Sequence, residues 1–261
     1  MDRKNIEKIA QTADDRMLLA KVWDKINTGI LRDVPAYSCF LSPRELELTR
    51  LLFGEPDGLL RFGGYPDAQR QMLCYLPEYL SQDSLMEEGS PVVCLRATYH
   101  AGDKLSHRDF LGALMGSGVA RESVGDICVG DGSCDFFATK EIAPYLLSSF
   151  DSAGRTKLRL QQIPLAQASI PQPQIRPIRD TLASLRLDAV IGSGFQVARG
   201  PASACVTSGK VTVNGLPCIK PDRTIAPGDV IAVRGSGKIK LEECSGQTKK
   251  GRIGVLIHRY V

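Results

Sequence analysis

His107 and Asp109 are the first residues in this chain whose types and spacing could support catalysis. With Arg108 between them and Arg121 downstream, they could form an acid–base pair beside an anion site. The same stretch also fits a helix start. Ser106 and Asp109 stand at capping-box spacing, and Leu111, Leu114 and Met115 form the apolar stripe such a helix would bury. That reading explains more of the segment, so no catalytic residue is assigned. His107, Arg108 and Arg121 are kept as a candidate contact for an anionic partner, secondary to the basic segment described below. Gly116-Ser117-Gly118 begins like a dinucleotide fingerprint, but it follows a helix and lacks the third glycine. No Walker loop, nucleophile elbow or zinc-protease motif occurs.

Metal chemistry finds no better footing. The eight cysteines, at 39, 74, 94, 128, 134, 205, 218 and 244, include no C-x-x-C pair. Only His100, His107 and His258 could add imidazole ligands, and none completes a zinc spacing. Most of the thiols sit in apolar runs, as expected of buried, reduced cysteines in a cytoplasmic protein. No metal and no cofactor are predicted. No apolar run approaches a membrane span, and the charged opening from Met1 lacks the apolar core of a secretory signal.

Charge points elsewhere. The net +4 of the chain hides a division: residues 176–261 carry 14 Lys and Arg against 6 Asp and Glu, while residues 1–175 carry 19 against 23. A basic segment on a mildly acidic body favours a polyanionic partner. Within it, an amphipathic stretch over Leu182–Ile191 precedes a small-residue helix from Pro201 to Gly209, with proline at its first turn and glycine at its left-handed end. Val211 and Val213 alternate into Asn214-Gly215, a type I′ hairpin turn, and Leu216–Ile219 is the return strand. Pro227-Gly228-Asp229 marks another turn before the strand of Val230, Ile231 and Val233. Two short helices packed on a small hairpin sheet is the physical reading.

The order Leu185-Arg186-Leu187-Asp188, Arg199, Gly209-Lys210-Val211, Val213-Asn214-Gly215, Pro221 and Pro227-Gly228-Asp229 resembles the RNA-binding domain named after ribosomal small-subunit protein four, the S-four domain or αL motif. That family usually has Ser-Arg-Ser where this chain has Ala198-Arg199-Gly200, so two hydroxyls that could cap the second helix or touch phosphate are missing. The expected RNA contacts are Arg186, Arg199, Ser203, Lys210, Asn214, Lys220, Arg223, Arg234, Lys238 and Lys240. Arg186, Arg199 and Lys210 are expected on the two-helix face, with Asn214 offering an amide at the hairpin tip. Arg234 and Lys238 flank the flexible Gly235-Ser236-Gly237 bend.

Upstream, Ile6, Ile9, Ala13, Met17, Ala20 and Ile26 recur at helical spacing. A strand over Cys39–Leu41, a helix capped by Ser42 with Pro43 as its first residue, and strands over Leu59–Phe62 and Met72–Leu76 complete an α/β unit. Gly63-Gly64-Tyr65 with Arg70 is read as a turn entering a helix. Residues 91–164 follow the order β-α-β-β-α-β: strand Val92–Tyr99, helix Arg108–Met115, strand Ile127–Val129, strand Cys134–Thr139, helix Lys140–Phe150 and strand Lys157–Ile163. This is the ferredoxin-like arrangement that RNA-recognition motifs share, without their aromatic strand signature. One of Phe136 and Phe137 must face the core. Pro164, Pro171, Pro173 and Pro177 then argue for an extended linker. The expected class is α+β: an N-terminal α/β domain at 1–88, a ferredoxin-like middle domain at 89–164, a proline-rich linker at 165–180 and an S-four domain at 181–261.

The whole chain resembles the bacterial YlmH-type family. The carrying residues are Gly63-Gly64-Tyr65, His107–Gly112, Gly125-Asp126-Ile127, Ser184–Asp188 and Val233-Arg234-Gly235. The family usually has Glu-Arg where this chain has Gln69-Arg70, so no role for that acid carries over. The resemblance implies a cytoplasmic, non-enzymatic, monomeric protein that binds ribosomal or transfer RNA on the large ribosomal subunit. It also implies stalled peptidyl-tRNA or assembly as the setting, and a link to cell division. The rival is an RNA-modifying enzyme, pseudouridine-synthase- or methyltransferase-like, using the same module to hold substrate. Such synthases carry Arg-Leu-Asp at a catalytic aspartate. Here Arg186-Leu187-Asp188 falls inside the RNA-binding module, where Asp188 is expected to hold a local arginine.

Overall fold

The computed structural model describes residues 3–54, 56–86, 89–100, 102–247 and 251–261. The chain divides into two compact units, Met1–Pro171 and Gln172–Val261. The architecture is α+β in both. The domain limit expected at residue 88 and the opening Met1-Asp2 lie outside the described residues. Among the described residues, no helix is long and apolar enough to cross a membrane.

The first unit starts with α1 (Ile6–Ile9) and α2 (Ala13–Arg32), followed by β1 (Ala36–Tyr37), α3 (Pro43–Phe53), β2 (Leu59–Phe62) and β3 (Met72–Tyr75). Thr12 and Asp15 close a capping box on α2, and Ser42 and Glu45 close one on α3 with Pro43 as its first residue. Both Asp15 carboxylate oxygens also accept from Arg44, at 2.6 and 2.7 Å. This bidentate pair ties the two helix starts together and holds the Asp15 carboxyl well below the usual carboxylate range. The strand expected at Cys39–Leu41 lies instead at Ala36–Tyr37, and Leu41 makes only an isolated bridge to Gln71. The ladder breaks because the Phe40 amide donates to the Glu122 carbonyl at 2.9 Å, drawing the chain toward a neighbouring sheet.

That sheet follows in the same unit: β4 (Val92–Thr98), α4 (His107–Gly116), β5 (Val124–Val129), β6 (Ser133–Thr139), α5 (Ala143–Ser149), a small hairpin of β7 (Ser152–Ala153) and β8 (Thr156–Lys157), and β9 (Arg159–Ile163). Its order is β5-β6-β4-β9, with antiparallel neighbours. Phe110, Leu114 and Leu146 of the helices pack on Leu95, Ala97, Phe136 and Ala138. The opposite face meets Phe40, Met72 and Cys74 from the first sheet's side, together with Leu165. Phe136 and Phe137 are therefore both buried, on opposite faces, as the period of two requires. The sheet face that RNA-recognition motifs expose is covered here.

The second unit comprises β10 (Ile175–Leu182), α6 (Leu187–Phe195), α7 (Arg199–Thr207), β11 (Val211–Val213), β12 (Leu216–Pro217), β13 (Val230–Val233), β14 (Gly237–Gln247) and β15 (Ile253–Tyr260). The strands form one sheet in the order β10-β15-β14-β13-β11-β12. The expected linker at 165–180 is thus partly strand, since Ile175 to Asp180 pair with β15. Pro177 is tolerated because β10 is the edge strand, where a missing amide breaks no ladder. The expected amphipathic stretch from Leu182 becomes helical only at Leu187. Leu187, Val190, Ile191, Ala202 and Val206 pack the two helices on one face of the sheet, over Val211, Ile231, Ile239 and Ile257.

Candidate RNA-binding interface

Asp188, in the first turn of α6, organises the basic surface. Its side chain is 3% exposed and accepts from Arg186 Nε and Nη2 and from Arg199 Nε, all at 3.2 Å. Burial pulls this carboxyl upward, but the two guanidiniums outweigh it and hold the group below its ordinary value. One buried negative charge thus aligns two arginines and leaves a net positive charge facing outward. The Arg199 side chain is 69% exposed and uses only its Nε–H here.

Local backbone explains why the arginines carry this surface. The amides of Leu187 and Asp188, at the start of α6, donate to the carbonyls of Arg223 and Pro221 at 2.8 and 3.0 Å. That helix end is therefore plugged by the 221–225 loop. The α7 end differs. Ala198 occupies the cap position without a side-chain hydrogen bond, and the helix begins at Arg199, two residues before the expected Pro201. An uncapped helix start carrying an exposed arginine is suited to a phosphate oxygen.

The other expected contacts scatter. Lys210 is exposed, and the Arg234 amide donates to its carbonyl at 2.9 Å, so these two cations flank one end of the β11–β13 ladder. Ser203 lies half-buried within α7, Lys220 is exposed and Arg223 half-buried on the loop that plugs α6. Asn214 does not reach outward. With φ of 52° it holds the turn, its amide donating to Asp229 at 2.7 Å and its carbonyl accepting from the Val230 amide at 2.9 Å. Both ends of its side-chain amide thus serve the turn. Lys238 and Lys240 alternate with buried Ile239 and Leu241, which face the helices, so both lysines belong to the opposite sheet face.

In the first unit, His107 and Arg108 are exposed at the start of α4, with Asp109 capping the helix through Ser106 as expected. Arg121 is different. Its Nη1 donates to the carbonyls of Val124 and Gly125, and burial beside Arg70 lowers its pKa to about 10. It braces β5. Sequence reasoning missed a lock centred on Asp126. This carboxylate accepts from the Tyr65 hydroxyl at 2.7 Å and from the Gln69 and Arg70 amides at 2.6 and 3.1 Å. Gly64, at φ of 96°, lies against Phe137, where a Cβ would come within 2.4 Å of the ring. The turn at Gly63-Gly64 therefore leads into β3, with no helix after it. Its alignment with Asp126 was not readable from spacing because the two halves lie far apart in the chain. The eight cysteines are free, and among the described residues no three His, Cys, Asp or Glu side chains gather as a metal-binding group.

A basic α+β unit with arginines set by a buried carboxylate, following a second α+β unit, has the build of a modular RNA-binding protein. A family model described as "Putative RNA-binding domain in YlmH" matches residues 100–167. The chain is 32% identical over 224 residues to the "Ribosome-associated protein quality control protein P2" of Bacillus subtilis strain 168, spanning 84% of this chain and 85% of that one. It belongs to the YlmH-type family of bacterial RNA-binding proteins. Among solved structures, "Cell division protein ylmH from Streptococcus pneumoniae" is 18% identical, with a TM-score of 0.49, covering 62% of this chain and 98% of that chain.

Proposed function

We propose that this chain is a cytoplasmic, non-enzymatic RNA-binding protein of the ribosome, holding ribosomal or transfer RNA through Arg186, Arg199 and Lys210 of its second unit. The observation that carries the reading is the pair of arginines fixed by buried Asp188 beside the uncapped start of α7. The relative's name, which places it in ribosome-associated quality control, supports a ribosomal setting, and the large subunit with stalled peptidyl-tRNA is our reading of it. The strand order β5-β6-β4-β9 with two crossing helices supports a ferredoxin-like middle domain, and the helix pair on β11–β13 supports an αL-type module. The match at 100–167 supports a second RNA contact there, through exposed His107 and Arg108.

The test is cosedimentation of the full chain with ribosomal subunits across a salt series, paired with nucleotide mass analysis. Binding should fall steeply with salt. Nucleotide masses should stay unchanged, with and without S-adenosylmethionine, and no new pseudouridine, which has the mass of uridine, should be found by selective chemical derivatisation. No association with either subunit at low salt would refute the reading. A mass shift or new pseudouridine lost on changing His107, Asp109 or Asp126 would replace it with an RNA-modifying enzyme.

A further inference from the structure

We propose that the helix-free face of the second unit's sheet is a separate nucleic-acid surface, a stacking platform centred on Tyr260 that takes an unpaired RNA segment. The inference rests on the reading of this unit as RNA-binding, but it concerns the face opposite Arg186 and Arg199.

Strand register defines the platform. Ile239, Leu241, Val255 and Ile257 face the helices and are buried, so their alternating neighbours point the other way. One row across the strands reads Ile175, Tyr260, Lys238, Ala232, and the next reads Pro177, His258, Lys240, Val230. Side-chain contacts agree with that placement. Lys238 Nζ lies 4.6 Å from the Tyr260 ring centroid. Glu242 meets Lys240 at 2.9 Å and His258 at 3.4 Å. Every residue in the two rows is half-buried or exposed, whereas the same strands' other face is closed by the helices.

The composition selects the occupant. The platform sets a tyrosine and a histidine beside Lys238 and Lys240, with Arg179 one row further on, and two acids, Glu242 and Glu243, share that face. Cations track a phosphate backbone, and an aromatic ring takes the face of a base that is not already stacked in a duplex. Paired RNA keeps its base faces inside the helix, so this ring discriminates in favour of unpaired nucleotides. On binding, the Lys238 ammonium would exchange the ring for a phosphate as a base moves onto Tyr260.

Full-length chain would be titrated with a labelled single-stranded oligomer of A and C and, separately, with an RNA hairpin. Tyr260→Leu should weaken oligomer binding roughly tenfold while leaving hairpin binding nearly unchanged. Tyr260→Phe should retain both, and Glu242→Gln should tighten oligomer binding by removing a carboxylate that repels phosphate. Photocrosslinking of a thiouridine-substituted oligomer to the wild-type chain should label the peptide holding His258 and Tyr260, whether or not Tyr260→Leu folds. Undiminished oligomer binding by a folded Tyr260→Leu, or crosslinks confined to α6 and α7, overturns the platform. Hairpin binding without oligomer binding by the wild type also overturns it while sparing the proposed function. Failure of both RNAs sinks the proposed function itself.

Discussion

Arg199 reaches back to Asp188 across the α6–α7 corner, its Nε donating to the buried carboxylate at 3.2 Å. Arg186 claims the same carboxylate from the other side. Positioning and net charge therefore make opposite predictions for Asp188→Asn. Loss of a negative charge should strengthen RNA binding if bulk potential governs it. We expect weaker binding, because both arginines lose their anchor, and titration with ribosomal RNA fragments at fixed salt decides between the two.

The same substitution has a pH signature. Asp188 titrates below the ordinary aspartate value of 3.8, so its contribution is present above that value and is lost as pH falls through the folded pKa. At neutral pH, Asp188→Asn should cost about 1–3 kcal/mol in urea unfolding. The gap from wild type should close in strongly acidic solution. A gap that persists there would assign the cost to packing.

Replacing Arg199 and Lys210 together by Ala should weaken ribosome binding and lower the salt slope by about one unit for each phosphate no longer neutralised. Both side chains are exposed and Arg186 still pairs the buried Asp188, so the fold should survive with only a modest loss of thermal stability. Unaltered binding would mean that RNA does not dock on the helix face.

Ala198→Ser should restore a cap to α7. Of the two amides such a cap usually serves, one belongs to Pro201 and does not exist, leaving only that of Gly200. The expected gain is therefore at the low end, about 0.5 kcal/mol, read as a shift in the urea midpoint.

Gly64→Ala would place a methyl within 2.4 Å of the Phe137 ring at a positive φ of 96°. A loss of at least about 1–3 kcal/mol in unfolding free energy is expected. Wild-type stability in this variant would mean that the glycine is kept for a reason other than fit.

Caps and turns were legible because their determinants are local. Ser42-Pro43, Ser106 with Asp109, Asn214-Gly215 and Gly209 each fold as their residue types require. Asp188 as an arginine holder was also readable, although its second partner came from the next helix. What spacing could not show were the long-range ties. Asp126 closing on Tyr65, Phe40 leaving its own ladder for Glu122, and β10 pairing with β15 all join segments far apart in the chain. The alternation that splits Lys238 and Lys240 from Arg186 becomes meaningful only once the covered face is known.

The place of β15 between β10 and β14 has a consequence for how the protein is made. β10 leaves the ribosome before any other strand of its unit, yet among the described residues its one neighbour in the sheet is β15, the last of those strands to emerge. Until synthesis has passed Tyr260, the early strand has no native partner, and its ladder is among the least local in the unit. An edge bearing Arg176, Pro177 and Arg179 is poorly suited to pairing with foreign strands, which protects the nascent chain through that wait.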